Sequence, residues 1–250
     1  MNKKIAIIIS IGLFAQGLLF GQSTRPRRVD LSIFAGPTIS WASSRTEGFK
    51  SGGAAVGGVY GINTDINLVQ TAENYYFHLG INARHIRSKL NYTDNYILED
   101  KAAKTTEYIS KASIASTYNM IYLSIPTAIK LRTNPFGNFV IFGVVGLEHG
   151  ICLSSRANDK ITYTQNEKDE VVARKDKVDM YSKTSFFRES LYISFGAEYI
   201  IRDNTRAFVA IAFDNGFNNI FRGKKYINEV YDEKVNAKSH SFEFQFGFFF

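Results

Sequence analysis

Four histidines, one cysteine and a few serines beside carboxylates are the residues from which this 250-residue chain could assemble a reactive site. A hydrolytic centre needs Ser, His and an acid in one cluster, because the hydroxyl is activated only when an oriented base takes its proton. The chain offers His240 between Ser239 and Ser241, and Glu189 beside Ser190, but no motif fixes either spacing. Ordinary polarity at strand ends accounts for both. His78, close to Arg84 in sequence, reads as part of a charge network rather than as a base, and His149 as an interfacial residue. Cys152 excludes an internal disulfide framework and a Cys-based zinc cluster, and reads as a small buried hydrophobe. Gly52-Gly53 and Gly57-Gly58 fall at a strand start, not between a strand and a helix, so they form no phosphate loop. No cofactor and no metal are expected.

The elements that must position these residues are strands. Phe (21) and Tyr (14) dominate the aromatics, too many for a disordered chain. In Val29–Trp41 the odd positions are apolar and the even ones mostly small or polar, the two-residue period that sends alternate side chains to opposite faces. The same alternation recurs in 54–68, 76–84, 121–131, 190–202, 207–217 and 239–250. Phe139–Leu153 is apolar on both faces, and Glu148 alone suggests that its even side faces inward. Eight strands result. Pro126, inside the fourth, lacks an N–H and predicts a bulge or kink there, unless that strand begins after it.

Connection lengths alternate. Long polar segments follow strands one, three, five and seven (42–53, 92–118, 154–188, 221–238). Brief ones follow strands two, four and six (69–74, 132–138, 202–205). A soluble sandwich has no reason to gather its long loops at one end, whereas a membrane barrel has short periplasmic turns and long outside loops. Residues 1–22 read as a cleaved signal peptide: Lys3 and Lys4, the apolar run Ile5–Phe14, then Gly21 at the cut. An uncleaved anchor is the other reading. Residues 23–28 form a short lead and 29–250 the barrel domain. Losing Lys3 and Lys4 takes the formal net charge from +7 to about +5. The surplus is spread through segments such as Lys168–Lys177, where acids alternate with bases; no nucleic-acid partner is expected.

The expected fold is therefore all-β, an eight-stranded antiparallel up-and-down transmembrane β-barrel with short periplasmic turns and long extracellular loops. Its greasy face must meet lipid and its small, polar face must fill the interior. That places Asp30, Asp65, Arg84, Lys130, Glu198, Asp214 and Glu243 in an enclosed charge network. Trp41 and Phe217 near outer strand ends, with Phe77, Tyr199 and Phe250 near inner ones, form the membrane girdle. The soluble alternative is a secreted β-barrel or sandwich.

The final strand, ending in Phe246, Phe248 and Phe250, resembles the last strand of bacterial outer-membrane barrels, which implies recognition by the barrel-assembly machinery. Tyr122-Leu123-Ser124-Ile125-Pro126 with Ile129-Lys130-Leu131, and Asp214-Asn215-Gly216-Phe217-Asn218-Asn219-Ile220, resemble the PorT-type outer-membrane β-barrel family of Bacteroidota. Ser124 stands where that family usually has Glu. The resemblance implies a barrel in the cell outer membrane; since no motif fixes a reactive site, the leading reading is a non-enzymatic barrel, structural or partner-binding through the long loops 92–118 and 154–188. An accessory part of type IX secretion or gliding machinery, a narrow channel and a rim enzyme acting on lipid A are the alternatives. Outer-membrane lipid and lipopolysaccharide are the expected surroundings, with Arg222 and Lys224-Lys225 as candidate contacts to lipopolysaccharide phosphates.

Overall fold

The computed structural model describes residues 28–69, 72–100, 105–165, 169–202, 205–222 and 235–250. The leader, most of the 23–28 lead and Lys224-Lys225 lie outside them. Ten strands follow in chain order: β1 (Val29–Ser44), β2 (Phe49–Ser51), β3 (Ala55–Asn67), β4 (Tyr75–Asp100), β5 (Thr105–Arg132), β6 (Phe139–Gln165), β7 (Asp169–Asp179), β8 (Phe187–Arg202), β9 (Thr205–Gly216) and β10 (Ala237–Phe249). Eight of them close a ring, β1-β3-β4-β5-β6-β8-β9-β10, with every neighbour antiparallel and β1 paired back onto β10. Closure leaves no ring edge with unpaired backbone groups in hydrocarbon. The eight-stranded antiparallel barrel is thus the fold.

Alternation sets which face each residue takes. Ile62, Phe195 and Phe244 point outward, 53%, 65% and 38% exposed. The even side of β6 faces inward, with Val140, Phe142, Val144 and Glu148 buried. On β5 the outward apolar face runs from Leu131 to Ile121; at ~3.4 Å per residue and a tilt near 40° it spans about 26 Å, the height of a barrel's hydrocarbon belt. A charge at the middle of that belt is expensive. Phe195→Arg is expected to cost about 2–4 kcal/mol, whereas Val172→Arg, on the exposed face of β7, should change little. Urea unfolding of both variants in the same lipid checks the difference.

The structure corrects the long loops. Segment 92–118 is largely strand: β4 and β5 stay paired from Tyr75/Leu131 up to Asp100/Thr105. Segment 154–188 is likewise built from the upper part of β6 and from β7, which pairs with β6. These extensions were missed because their polarity is reversed. In the belt, odd residues of β5 are apolar and face out. Above Ile121 the outward residues are Asn119, Thr117 and Ser113, while inward Met120, Tyr118, Ile114 and Ala112 are buried. The strands leave lipid for water without changing face, so the hydrophobic side must switch.

Pro126 brings no register shift. Leu79/Thr127 and Asn82/Ser124 keep one register with β4 on either side of it, and Pro126 stays opposite Glu148 of β6. The strand neither bulges nor begins there; the ladder to β4 skips the positions around the missing N–H and resumes. The irregularity in β5–β6 sits instead at Ile121/Tyr122, where Leu153 is the extra residue.

Candidate functional site

The interior of the ring is filled by two ionic layers. In the layer nearer the short turns, Arg206 binds Asp30 at 2.5 Å and Glu198 at 2.9 Å, and Arg132 binds Glu198 at 2.8 Å. Lys130 spans Glu198 (2.9 Å) and Asp65 (2.7 Å), and His78 Nδ1 lies 2.6 Å from the other oxygen of Asp65. Aromatic rings complete the layer: Lys130 Nζ sits 4.4 and 4.2 Å from the centroids of Phe142 and Phe249, and the Tyr76 hydroxyl accepts from Arg132 at 2.9 Å. Every ring strand contributes, from Asp30 on β1 to Phe249 on β10.

In the second layer Arg84 bridges Glu148 and Glu243 and lies 3.7 Å from Asp214. Asp214 is gripped by Arg188 and accepts from Ser190 at 2.8 Å. Gln245 donates to Glu243 at 2.9 Å and to the Tyr192 hydroxyl at 3.1 Å. Phe34, Phe142, Val144 and Phe208 are among the apolar side chains buried in the same interior. A solute would have to displace these groups in sequence.

All seven charges expected in the network, Asp30, Asp65, Arg84, Lys130, Glu198, Asp214 and Glu243, are at most 2% exposed. Sequence reasoning missed Arg132, Arg188 and Arg206, the cations that complete both layers. Arg132 and Arg206 flank short turns and Arg188 ends a segment read as loop, so none lay inside an alternating run. His78 pairs with Asp65 and belongs to a different layer from Arg84. At the girdle positions, Tyr199, Phe217 and Phe250 are 44–46% exposed, Trp41 and Phe77 are half-buried, and Trp41 packs beside Phe213 and Phe242.

The reactive clusters do not assemble as spaced in the sequence. Ser239 and Ser241 point inward, while His240 faces out between Ser43 (2.8 Å) and Asn215 (2.7 Å). Glu189 and Ser190 likewise take opposite faces. Glu189 instead lies 2.6 Å from His149 Nδ1, and Thr127 Oγ1 is 2.9 Å from His149 Nε2. That is the order nucleophile, base, orienter. However, Thr127 is paired with Leu147, and His149 with both Ile125 and Glu189, so the backbone at these positions is committed to the sheet rather than gathered for an oxyanion. Among the described residues no group of His, Cys, Asp and Glu could hold a metal ion.

Above the membrane the extended sheet has a core of its own. Phe49, Tyr92, Ala112, Ile114 and Ile161 pack together, and below them Ile86, Leu90, Tyr118, Met120 and Cys152 form a second cluster. Ser116 donates to Asp159 at 2.6 Å at this level, and burial pushes that carboxyl above the usual carboxylate range against the pull of Ser116, Lys175 and Lys183.

Residues 14–222 match the family described as outer membrane protein beta-barrel domain. No curated protein matches the chain. Among solved structures, it is similar to Ail, the attachment invasion locus protein of Yersinia pestis (10% identity, 90% of this chain and 100% of that one, TM-score 0.33). It is also similar to the N-terminal β-barrel domain of Pseudomonas aeruginosa OprF (12%, 89% and 96%, TM-score 0.32). A third is the outer membrane protease OmpT from Escherichia coli (11%, 92% and 99%, TM-score 0.37).

Proposed function

The chain belongs to the outer membrane protein beta-barrel domain family, and we propose that it is a PorT-type, non-enzymatic member that holds a protein partner against the cell surface with its extracellular sheet. The observation that carries this reading is the sheet itself. A barrel needed only to seal or brace the membrane could end at the belt, yet here β4 to β7 continue outward over a packed apolar core. Among the described residues β7 bonds only to β6, so its second edge presents backbone donors and acceptors to which a partner strand can add. The filled lumen argues against a channel, and the committed backbone around Thr127, His149 and Glu189 against a hydrolase.

The remaining parts of the reading fit the same picture. Residues 1–22 direct export and are cleaved, and Phe246, Phe248 and Phe250 present the assembly machinery with its signal. Components of type IX secretion or gliding machinery are the first partners to test. A photo-crosslinker at Ser113, exposed on the outward face of β5, placed in intact cells should give one discrete protein adduct, and Val172→Pro on β7 should abolish it. Adducts to lipid alone, or none, would overturn the proposal.

A further inference from the structure

A groove of about 620 Å³ opens on the lipid side of the wall where β4, β5 and β6 rise past the shorter β3. It is lined by Val56 and Ile121 together with His85, Arg87, Asn119 and Arg156; Ile121 is paired with His85, and Arg87 Nη1 donates to the Val56 carbonyl at 3.4 Å. Arg87, Asn119 and Arg156 lie side by side in register across three strands, so the two arginines are about 9.6 Å apart at the backbone and their side chains can converge. Asn119 Oδ1 accepts from Arg87 Nε at 2.5 Å, which fixes one arm, and His85 packs on the Tyr60 ring at 5.9 Å.

This groove straddles a boundary. Directly below it the outward face is bare hydrocarbon surface, with Ile81 62% exposed and Tyr60 and Ile62 each 53%. Directly above it Lys50 and Lys89 continue the positive charge. The acids near this face among the described residues include Glu47, in the turn before β2, Asp176, exposed at the irregular step of the β6–β7 ladder, and Asp179, opposite Arg156 in that ladder, which accepts from the Tyr181 N–H at 2.9 Å. Basic above, apolar below is the complement of an amphiphile with a phosphorylated head and acyl tails, and paired guanidiniums suit phosphate oxygens.

We propose that Arg87 and Arg156 clamp the phosphorylated head group of an outer-leaflet glycolipid, whose acyl chains lie along Val56, Tyr60, Ile62 and Ile81. The site is separate from the partner-binding edge of β7, and its test does not depend on that edge. Native mass spectrometry of the full chain in detergent can follow retention of bis-phosphorylated lipid A, of the same lipid after dephosphorylation, and of inorganic phosphate. The wild type should retain the phosphorylated lipid in preference to the other two. Arg87→Gln/Arg156→Gln should weaken it about twenty-fivefold, from roughly fivefold per basic residue at a membrane surface. Heat-modifiable gel migration shows whether that variant is folded; if it is not, Arg156→Gln alone should lose about fivefold. Equal retention of the dephosphorylated lipid, or unchanged binding by the folded variant, would overturn the proposal. Displacement of the lipid by inorganic phosphate at equal concentration would reassign the groove to a small anion and overturn it as well.

Discussion

Arg84→Ala should yield a barrel that no longer assembles to a heat-resistant form. Arg84 is 1% exposed and bridges Glu148 and Glu243, with Asp214 3.7 Å away. Without it, three carboxylates in the upper layer face Arg188 alone. Removing one partner of a buried ion pair costs about 3–5 kcal/mol, and here one side chain serves two direct partners. Since folded domains are stable by only about 5–15 kcal/mol, the loss takes most of the margin. Arg84→Met combined with Glu148→Gln and Glu243→Gln removes charge from both sides and should recover much of it, because neutral groups of similar shape replace a buried ion pair with little penalty. Unfolding midpoints in urea separate the two cases. An unfolding free energy for Arg84→Ala within about 0.5 kcal/mol of wild type, the range of an ordinary surface change, would sink the claim that the ionic layer holds the barrel together.

Gly36→Ala should open the seam at which the chain closes on itself. A Cβ at Gly36 would run into the backbone carbonyl of Phe244, and Phe244, paired with Ile211 of β9, cannot step aside as a side-chain tip can. The position is sensitive because β1 and β10 are the first and last ring strands and their ladder already skips from Ala35/Phe246 to Thr38/Glu243 around Pro37. Overpacking costs about 1–3 kcal/mol where neighbours can shift; at this seam the strands themselves would have to part. Gly58→Ala is the control, since its nearest neighbour, the Gly36 carbonyl oxygen, is 3.7 Å away. Protease sensitivity and loss of heat-modifiable migration should appear in Gly36→Ala and not in Gly58→Ala.

The part of the fold inside the membrane could be read from the sequence because lipid imposes one rule on every strand. Apolar residues out and small or polar residues in gave the phase of β1, β3, β8, β9 and β10, and Glu148 supplied it for β6. Arg132, Arg188 and Arg206 escaped because they lie where alternation gives way to turn or loop chemistry. The extracellular sheet escaped for a different reason. Its strands obey the opposite rule, with Tyr92, Ile114 and Ile161 buried inside and Lys89, Lys111 and Lys160 outside, so a search for an oily exterior finds only polarity and reports a loop. The Thr127–His149–Glu189 chain could not have been found by spacing, because its members come from three strands brought together by register.

The reversal of polarity along β4, β5 and β6 also works as a depth gauge. Sinking the barrel by two residues would immerse Arg87 and Arg156 in hydrocarbon, and raising it by two would lift Leu153 and Ile121 into water. Mismatch between a protein's oily height and its bilayer is penalised by fractions of a kcal/mol per Å, but two arginines immediately above the oily face stiffen that response in one direction. The molecule is therefore held at a set altitude, and whatever docks on the outer sheet meets it at a constant distance from the membrane surface.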